Sequence, residues 1–350
     1  MTPVLPPDFD PDAPGDGEGL YGLPFAPETC GVQVLPVPWE ATTSYGRGTA
    51  GAPEAVRIAS QQVDLHDLDF GAFWPAGIGL LPLDAAIAAL GPAVEDDAQA
   101  VIAAGGVGED AAAARVDAAS EALNERVYTL AAEVLARGAI PGLLGGDHST
   151  PLGLHRAVAE RFPGVGFLHI DAHADLRPGY LGFRWSHASI FHHTLQLPGV
   201  GRHVGVGWRD VGRAELDRIR AEGGRVVPFF DRDLQRALAR GTPWVTLVGQ
   251  IVDALPPLVH VSFDIDGLEP GLCPTTGTPV PGGLDWGQLG VLLTTLAERR
   301  KVVGFDLVEV GAAEWDANVG ARVLFKLAGC ALRSHDPAWR AADTGRLFGR

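Results

Sequence analysis

Three short stretches carry side chains suited to holding hard or borderline divalent cations. In FLHIDAHADLRP, Phe167 to Pro178, an apolar run over Val165 to Ile170 leads into Asp171, His173 and Asp175 at alternate positions. Alternate side chains of an extended chain share a face, which predicts that these three converge while Ala172 and Ala174 point away. VHVSFDID, Val259 to Asp266, repeats the pattern with Asp264 and Asp266 after a second apolar run, and LLGGDHST, Leu143 to Thr150, adds His148 beyond a third. Carboxylates and imidazoles are the ligand types of such ions. Four gathered carboxylates cannot all stay ionised unless cations neutralise them. A lone Asp or His of this kind is more often a solvated loop acid or a satisfied core imidazole. The repeated spacing at strand ends favours a dinuclear metal centre.

The elements that must position these groups alternate along the chain. Apolar runs predict strands over Gly31–Pro36, Ile140–Leu144, Val165–Ile170, His203–Gly207, Val226–Phe230, Val259–Phe263 and Val302–Val308. Between them, Pro53 to Ser60 reads as a short helix with Pro53 suited to its start. Val116, Ala119, Leu123, Val127, Leu130 and Val134 follow helical spacing up to Gly138. Further helices are expected at 188–195, 213–221, 231–251 with a break near 241–243, 286–299 and 319–332. Residues 84–113, rich in Ala and Gly, read as short helical pieces with a flexible connection. Alternating strands and helices predict one α/β domain of three layers, α/β/α, with a mainly parallel sheet. Ligands of such sheets bind beyond the carboxyl ends of the strands, where every candidate ligand here lies. Residues 1–28, rich in Pro, Asp and Gly, read as a flexible arm, or one that orders on a neighbouring subunit, ahead of a domain over 29–350.

Composition narrows the partners. A formal net charge of −16 argues against nucleic-acid and anionic-membrane partners, both of which need a basic face. Three widely spaced cysteines, Cys30, Cys273 and Cys330, suit reduced thiols in a cytoplasm rather than a disulfide frame. The N-terminus has neither the basic nor the apolar region of a signal peptide, and no apolar run reaches the ~18 residues of a membrane span. The expectation is a cytoplasmic protein.

GGDHS at Gly145 to Ser149, DAHAD at Asp171 to Asp175 and SFDIDGLEPGLCPTTGTPVPGGL at Ser262 to Leu284 resemble the three signatures of the ureohydrolase family. That family includes arginase, agmatinase, formimidoylglutamase and related guanidino-acid hydrolases, and the resemblance spans roughly Val32 to Leu327. It implies an arginase-like fold and two metal ions, with manganese the usual family metal; the N and O ligands would also accept nickel or cobalt. By resemblance one ion takes His148, Asp171, Asp175 and Asp264, the other Asp171, His173, Asp264 and Asp266, with Asp171 and Asp264 shared. Two such ions lower the pKa of water toward about 7, which a resonance-stabilised guanidinium carbon requires of its attacker. His187, in WSHAS, resembles the family's proton-carrying loop histidine, whereas His192 and His193 sit deeper in an expected helix. Glu309, in FDLVEV, resembles the carboxylate that orients the guanidinium through paired donors. The resemblance also implies homo-oligomers, trimers or hexamers.

Departures bear on the substrate. Glu269 stands where the family often has Asp, and Gly311 follows FDLVEV in place of a polar-Pro pair. Arg177 replaces the small polar residue of arginase-like sequences. Facing inward, it would repel an ammonium tail and favour a carboxylate tail; facing outward, it carries no preference. The Ser186-His187 pair is agmatinase-like, which puts agmatine first as the small guanidino substrate. A guanidino acid such as 4-guanidinobutyrate, free guanidine, arginine or a formimidoyl compound stand behind it. A metal-binding protein without activity would be expected to lose a ligand, His187 or Glu309, and none is missing. A dinuclear phosphoesterase would need a basic cluster or phosphate-cradling loop, and none accompanies the ligands.

Overall fold

In the computed structural model, which describes residues 3–15, 17 and 19–339, eight strands form one parallel sheet. They are β1 (Val32–Val37), β2 (Ile78–Leu80), β3 (Ile140–Gly145), β4 (Val165–Ile170), β5 (Val200–Val206), β6 (Val226–Phe229), β7 (Leu258–Asp264) and β8 (Lys301–Val308). Their order across the sheet is β2-β1-β3-β8-β7-β4-β5-β6. Strands β8 and β7 occupy the centre, flanked by β3 and β4. Every residue of β4 is buried, as a strand covered on both faces requires.

Among the described residues ten helices provide the cover: α1 (Ala52–Ser60), α2 (Ala85–Ala103), α3 (Asp110–Ala136), α4 (Leu152–Arg161), α5 (Ile190–Thr194), α6 (Arg213–Ala221), α7 (Asp231–Ala239), α8 (Trp244–Asp253), α9 (Trp286–Arg299) and α10 (Glu314–Ser334). One apolar core joins the sheet to α1 and α7 to α10 through side chains such as Val56, Leu234, Val248, Leu292 and Leu324. The other joins it to α2 to α5 through Ile87, Val127, Leu154 and Phe191. The expected three-layer α/β/α domain is therefore present, and local signals account for its helix ends. Asp285 Oδ1 accepts the Gln288 amide at 2.7 Å while Gln288 Oε1 accepts the Asp285 amide at 3.1 Å, a reciprocal cap that starts α9.

Some expectations need correction. Residues 84–113 are not short pieces: α2 runs unbroken for 19 residues despite Pro92, and α3 begins at Asp110. Strong alanine propensity sustains them, and Arg115–Asp97 and Arg126–Asp84 ion pairs tie the two helices together. The three-residue strand β2 was too short to show periodicity. Within the expected arm, Leu20, Tyr21 and Leu23 belong to the core, and the Tyr21 hydroxyl donates to the Ala321 carbonyl at 2.9 Å. Residues 340–350 of the expected domain lie outside the described residues.

Candidate metal centre

Strand β4 stops at Ile170, so Asp171, His173 and Asp175 do not converge by strand alternation. The chain turns instead. Asp171 Oδ1 accepts the His173 amide at 2.6 Å, and Asp175 adopts a left-handed φ of 52°. Such a backbone costs a non-glycine residue energy and persists only where its surroundings demand it. Asp264 ends β7, and its Oδ1 accepts the Asp266 amide at 2.9 Å, which folds the second pair into a single 3-10 turn. Asp266 Oδ1 accepts the Ala172 amide at 3.0 Å and so joins the two loops.

Six predicted ligands meet. His148 Nδ1 lies 3.1 Å from Asp171 Oδ2, 3.0 Å from Asp175 Oδ2 and 3.4 Å from Asp264 Oδ2. His173 Nδ1 lies 3.4 Å from Asp171 Oδ1 and 3.2 Å from Asp266 Oδ2. Asp171 therefore turns one oxygen to each histidine and spans two adjacent donor sets. Among the described residues, only histidines stand within ion-pair distance of these four acids.

Burial and close neighbours shift the charges of the cluster. Burial and the charge of Asp171 push the Asp175 carboxyl up to about 7. Burial, with Asp266 and Asp171 beside it, pushes Asp264 well above the usual range. Burial also opposes charge on Asp171, but neighbouring His169, His148 and His173 hold it well below that range. Against the same burial, Asp171 and Asp266 hold the proton of His173 up to about 12, and Asp171, Asp175 and Asp264 hold that of His148 well above its ordinary value. The donor set of two imidazoles and four carboxylates suits divalent ions.

A buried polar layer lies beneath. His148 Nε2 meets Ser262 Oγ at 3.0 Å, and Ser262 donates to Asp306 Oδ1 at 2.7 Å. Asp306 Oδ2 takes His155 Nε2 at 3.0 Å and His260 Nε2 at 2.7 Å. Burial opposes charge on Asp306, but those two histidines keep its carboxyl well below the usual range. On the other side, Asp171 Oδ2 meets His169 Nε2 at 2.7 Å, and His169 Nδ1 meets His203 Nε2 at 3.2 Å. None of these supporting groups was singled out from the sequence. His169 and Ser262, two residues ahead of Asp171 and Asp264, could have been found by extending the alternate spacing backwards. Asp306 reaches Ser262 because β8 lies beside β7, with Asp306 opposite Ser262.

The remaining candidates border or back a cleft of about 330 Å³, lined among others by Tyr45, His173, Asp175, Arg177, Tyr180, His187, Asp210 and Glu215. His187 sits at the start of a 3-10 turn, its amide donating to Thr42 Oγ1 at 3.0 Å. Thr42 donates in turn to Asp147 Oδ2 at 2.9 Å. Burial, and next the charge of His173, lower His187 to about 4. Arg177 lies at the rim, its guanidinium 4.9 Å above the Tyr180 ring and its Nε 3.8 Å from Glu215 Oε2. Glu309 is buried and not among the residues that line the cleft, with φ 59° and Oε1 accepting the His148 amide at 2.9 Å. Burial and then the charge of Asp147 push its carboxyl well above the usual range. Gly311 accommodates a close crossing, since a Cβ there would lie 2.2 Å from Thr275 Oγ1.

Sheet order and donor set together define an α/β protein with a carboxylate–imidazole cluster that could hold metal ions at the carboxyl ends of its central strands. The sequence profile of the Arginase family matches residues 30–332, and the chain belongs to that family. It is 32% identical over 292 residues to the N(1)-aminopropylagmatine ureohydrolase of Thermus thermophilus, covering 83% of this chain and 86% of that one. It is 30% identical over 302 residues to the proclavaminate amidinohydrolase of Streptomyces clavuligerus, covering 82% and 83%. The fold is similar to that of the agmatine ureohydrolase of Thermoplasma volcanium, with a TM-score of 0.72 at 24% identity over 93% of this chain and 97% of that one. No helix among the described residues is long and apolar enough to cross a membrane.

Proposed function

We propose that the protein hydrolyses the guanidino C–N bond of an amine-tailed substrate, agmatine first, releasing urea at a pair of divalent ions, manganese in the first instance. The observation that carries this reading is Asp171, with one carboxylate oxygen toward each histidine nitrogen. One ion would be held by His148, Asp171, Asp175 and Asp264, the other by Asp171, His173, Asp264 and Asp266. When bound, the ions supply Lewis acidity and a lowered pKa for water. The protein's own groups do the rest. Glu309, its Oε1 held by the His148 amide, offers Oε2 beside Gly277 as acceptor for guanidinium N–H groups. His187 is neutral near pH 7 and moves the proton that the leaving amine needs.

The tail preference follows from charge at the cleft. Asp210 and Glu215 line it against the single guanidinium of Arg177, which lies 3.8 Å from Glu215. An ammonium tail fits that balance, as does the aminopropylagmatine named for the Thermus relative. Arg177 favours the second reading, a guanidino acid, because its side chain is 45% exposed and reaches the cleft. The amidinohydrolase relative named for proclavaminate is in line with that alternative. A panel of agmatine, 4-guanidinobutyrate, arginine and guanidine on manganese-loaded protein, with urea as readout, tests the proposal. Urea from agmatine at the highest kcat/KM is the expected result; no urea from any of them sinks it.

The same reading makes the chain a cytoplasmic homo-oligomer of three or six copies, in line with the family resemblance and with three free, buried cysteines. Light scattering of the purified protein checks the copy number.

A further inference from the structure

Arg177, Tyr180 and His187 all stand on one loop, residues 176–189. Ahead of the 3-10 turn at His187–Ser189, it makes a tight turn in which Tyr180 and Phe183 exchange backbone hydrogen bonds, both 2.9 Å. At the tip Leu181 has φ 48° and Gly182 φ 83°. A leucine in the left-handed region is held there by its surroundings.

The α2–α3 hairpin supplies those surroundings at two points. Gly106, in the connection between the helices, packs so closely that a Cβ would lie 2.5 Å from the Leu181 carbonyl carbon. Two turns into α3, Asp117 Oδ1 accepts two successive loop amides, Arg184 at 2.9 Å and Trp185 at 3.4 Å. From the opposite side Ser189 Oγ and His193 Nε2 meet the Arg184 carbonyl at 3.1 and 2.8 Å. The backbone around Arg184 is thereby gripped from both flanks. The consequence appears at the cleft, where the Tyr180 ring stands edge-on to His187 at 5.9 Å and beneath the Arg177 guanidinium.

We propose that the α2–α3 hairpin is the support that sets the substrate-facing loop, and that Asp117 is the positioning residue through which it acts on Tyr180 and His187. Asp117 touches neither the metal ligands nor the cleft; it fixes where the loop stands. The effect on turnover rests on the hydrolase reading above, whereas the effect on the loop does not.

The test uses the full, metal-loaded chain with Asp117→Ala and Asp117→Asn. In the Ala variant, amide hydrogen exchange over 180–187 rises about tenfold or more, the equivalent of one lost charge-assisted hydrogen bond. Metal content stays at the parent level, and kcat/KM for agmatine falls roughly tenfold to a hundredfold, the range expected when a reacting group is misplaced. The Asn variant, whose side-chain oxygen accepts the same two amides, restores both readouts to within about threefold of the parent. Should the Ala variant fail to fold, Gly106→Ala, which presses on Leu181 from the hairpin, provides the same pair of readouts. Unchanged exchange overturns the proposal. So does raised exchange with unchanged kcat/KM, or an Asn variant no better than Ala. If the parent releases urea from no guanidino compound while exchange responds as expected, the hydrolase reading falls and the loop support stands.

Discussion

The floor of the site and the mouth of its cleft obey different rules. On the floor, Asp171, Asp264, Asp266 and His148 are at most 3% exposed, and each is held by neighbouring side chains or amides. At the mouth, Tyr45 is 87% exposed and Arg177 45%. A buried charge has no water to relax it, so its partners must be supplied in fixed positions. A charge at the mouth is screened and its neighbours are replaceable. The floor therefore determines what bond is attacked, and the mouth determines whose tail is admitted.

Changes on the floor should cost most. Asp264→Asn removes one negative charge from the carboxylate that the proposed function shares between both ions, and turnover is expected to fall on the order of a hundredfold or more with loss of bound metal. Elemental analysis that finds two tightly held ions and normal turnover in this variant would break the dinuclear reading. His187→Ala should retain metal and lose about a hundredfold in kcat, with partial recovery on adding imidazole. An unaltered pH–rate profile would remove His187 from the reaction.

The layer beneath sharpens the comparison, because it is buried yet touches no substrate. Asp306→Asn replaces one accepting oxygen by an amide donor, facing either Ser262 or the His155–His260 pair, and disturbs the orientation of His148. Competition against a chelator should show metal affinity down roughly tenfold to a hundredfold. Affinity equal to the parent's would mean that His148 needs no such support.

At the mouth the effect is smaller. Two unit charges about 4 Å apart interact by about 1 kcal/mol in water and about 4 at a surface-like dielectric. Glu215 and solvent hold Arg177 near the lower figure. Arg177→Ala should raise kcat/KM for agmatine relative to 4-guanidinobutyrate by a factor of several. An unchanged ratio would show that Arg177 does not read the tail.

The smallest effect concerns stability. Burial lowers His155 to about 4 from an ordinary 6.5. Folding favours its neutral ring, so that share of stability is whole above pH 6.5 and is lost as pH falls toward 4. His155→Gln should flatten the dependence of metal-free stability on pH in this window by at most one proton, about 1.4 kcal/mol per pH unit. Denaturant titration at several pH values measures the slope; a variant slope equal to the parent's would show that His155 is not the group responding.

The alternation of strands and helices, the apolar runs of β3, β4, β7 and β8, and the side-chain types of the six residues that converge were all legible in the sequence. Each depends on side chains close together along the chain, where spacing and residue type speak directly. The convergence itself was expected for an incomplete reason: strand alternation ends at Ile170, and side chain-to-amide bonds gather the acids instead. Residue type and order were enough to indicate cation chemistry, because four acids and two imidazoles in one place demand a counter-charge whatever path the backbone takes. Tertiary structure alone decided which groups stand behind them. Asp306 reaches Ser262 through strand pairing, Thr42 links Asp147 to His187, and Asp117 holds Arg184 across 67 residues. Such contacts arise from which strands and helices become neighbours, and that choice is made by burying whole faces rather than by any local pattern.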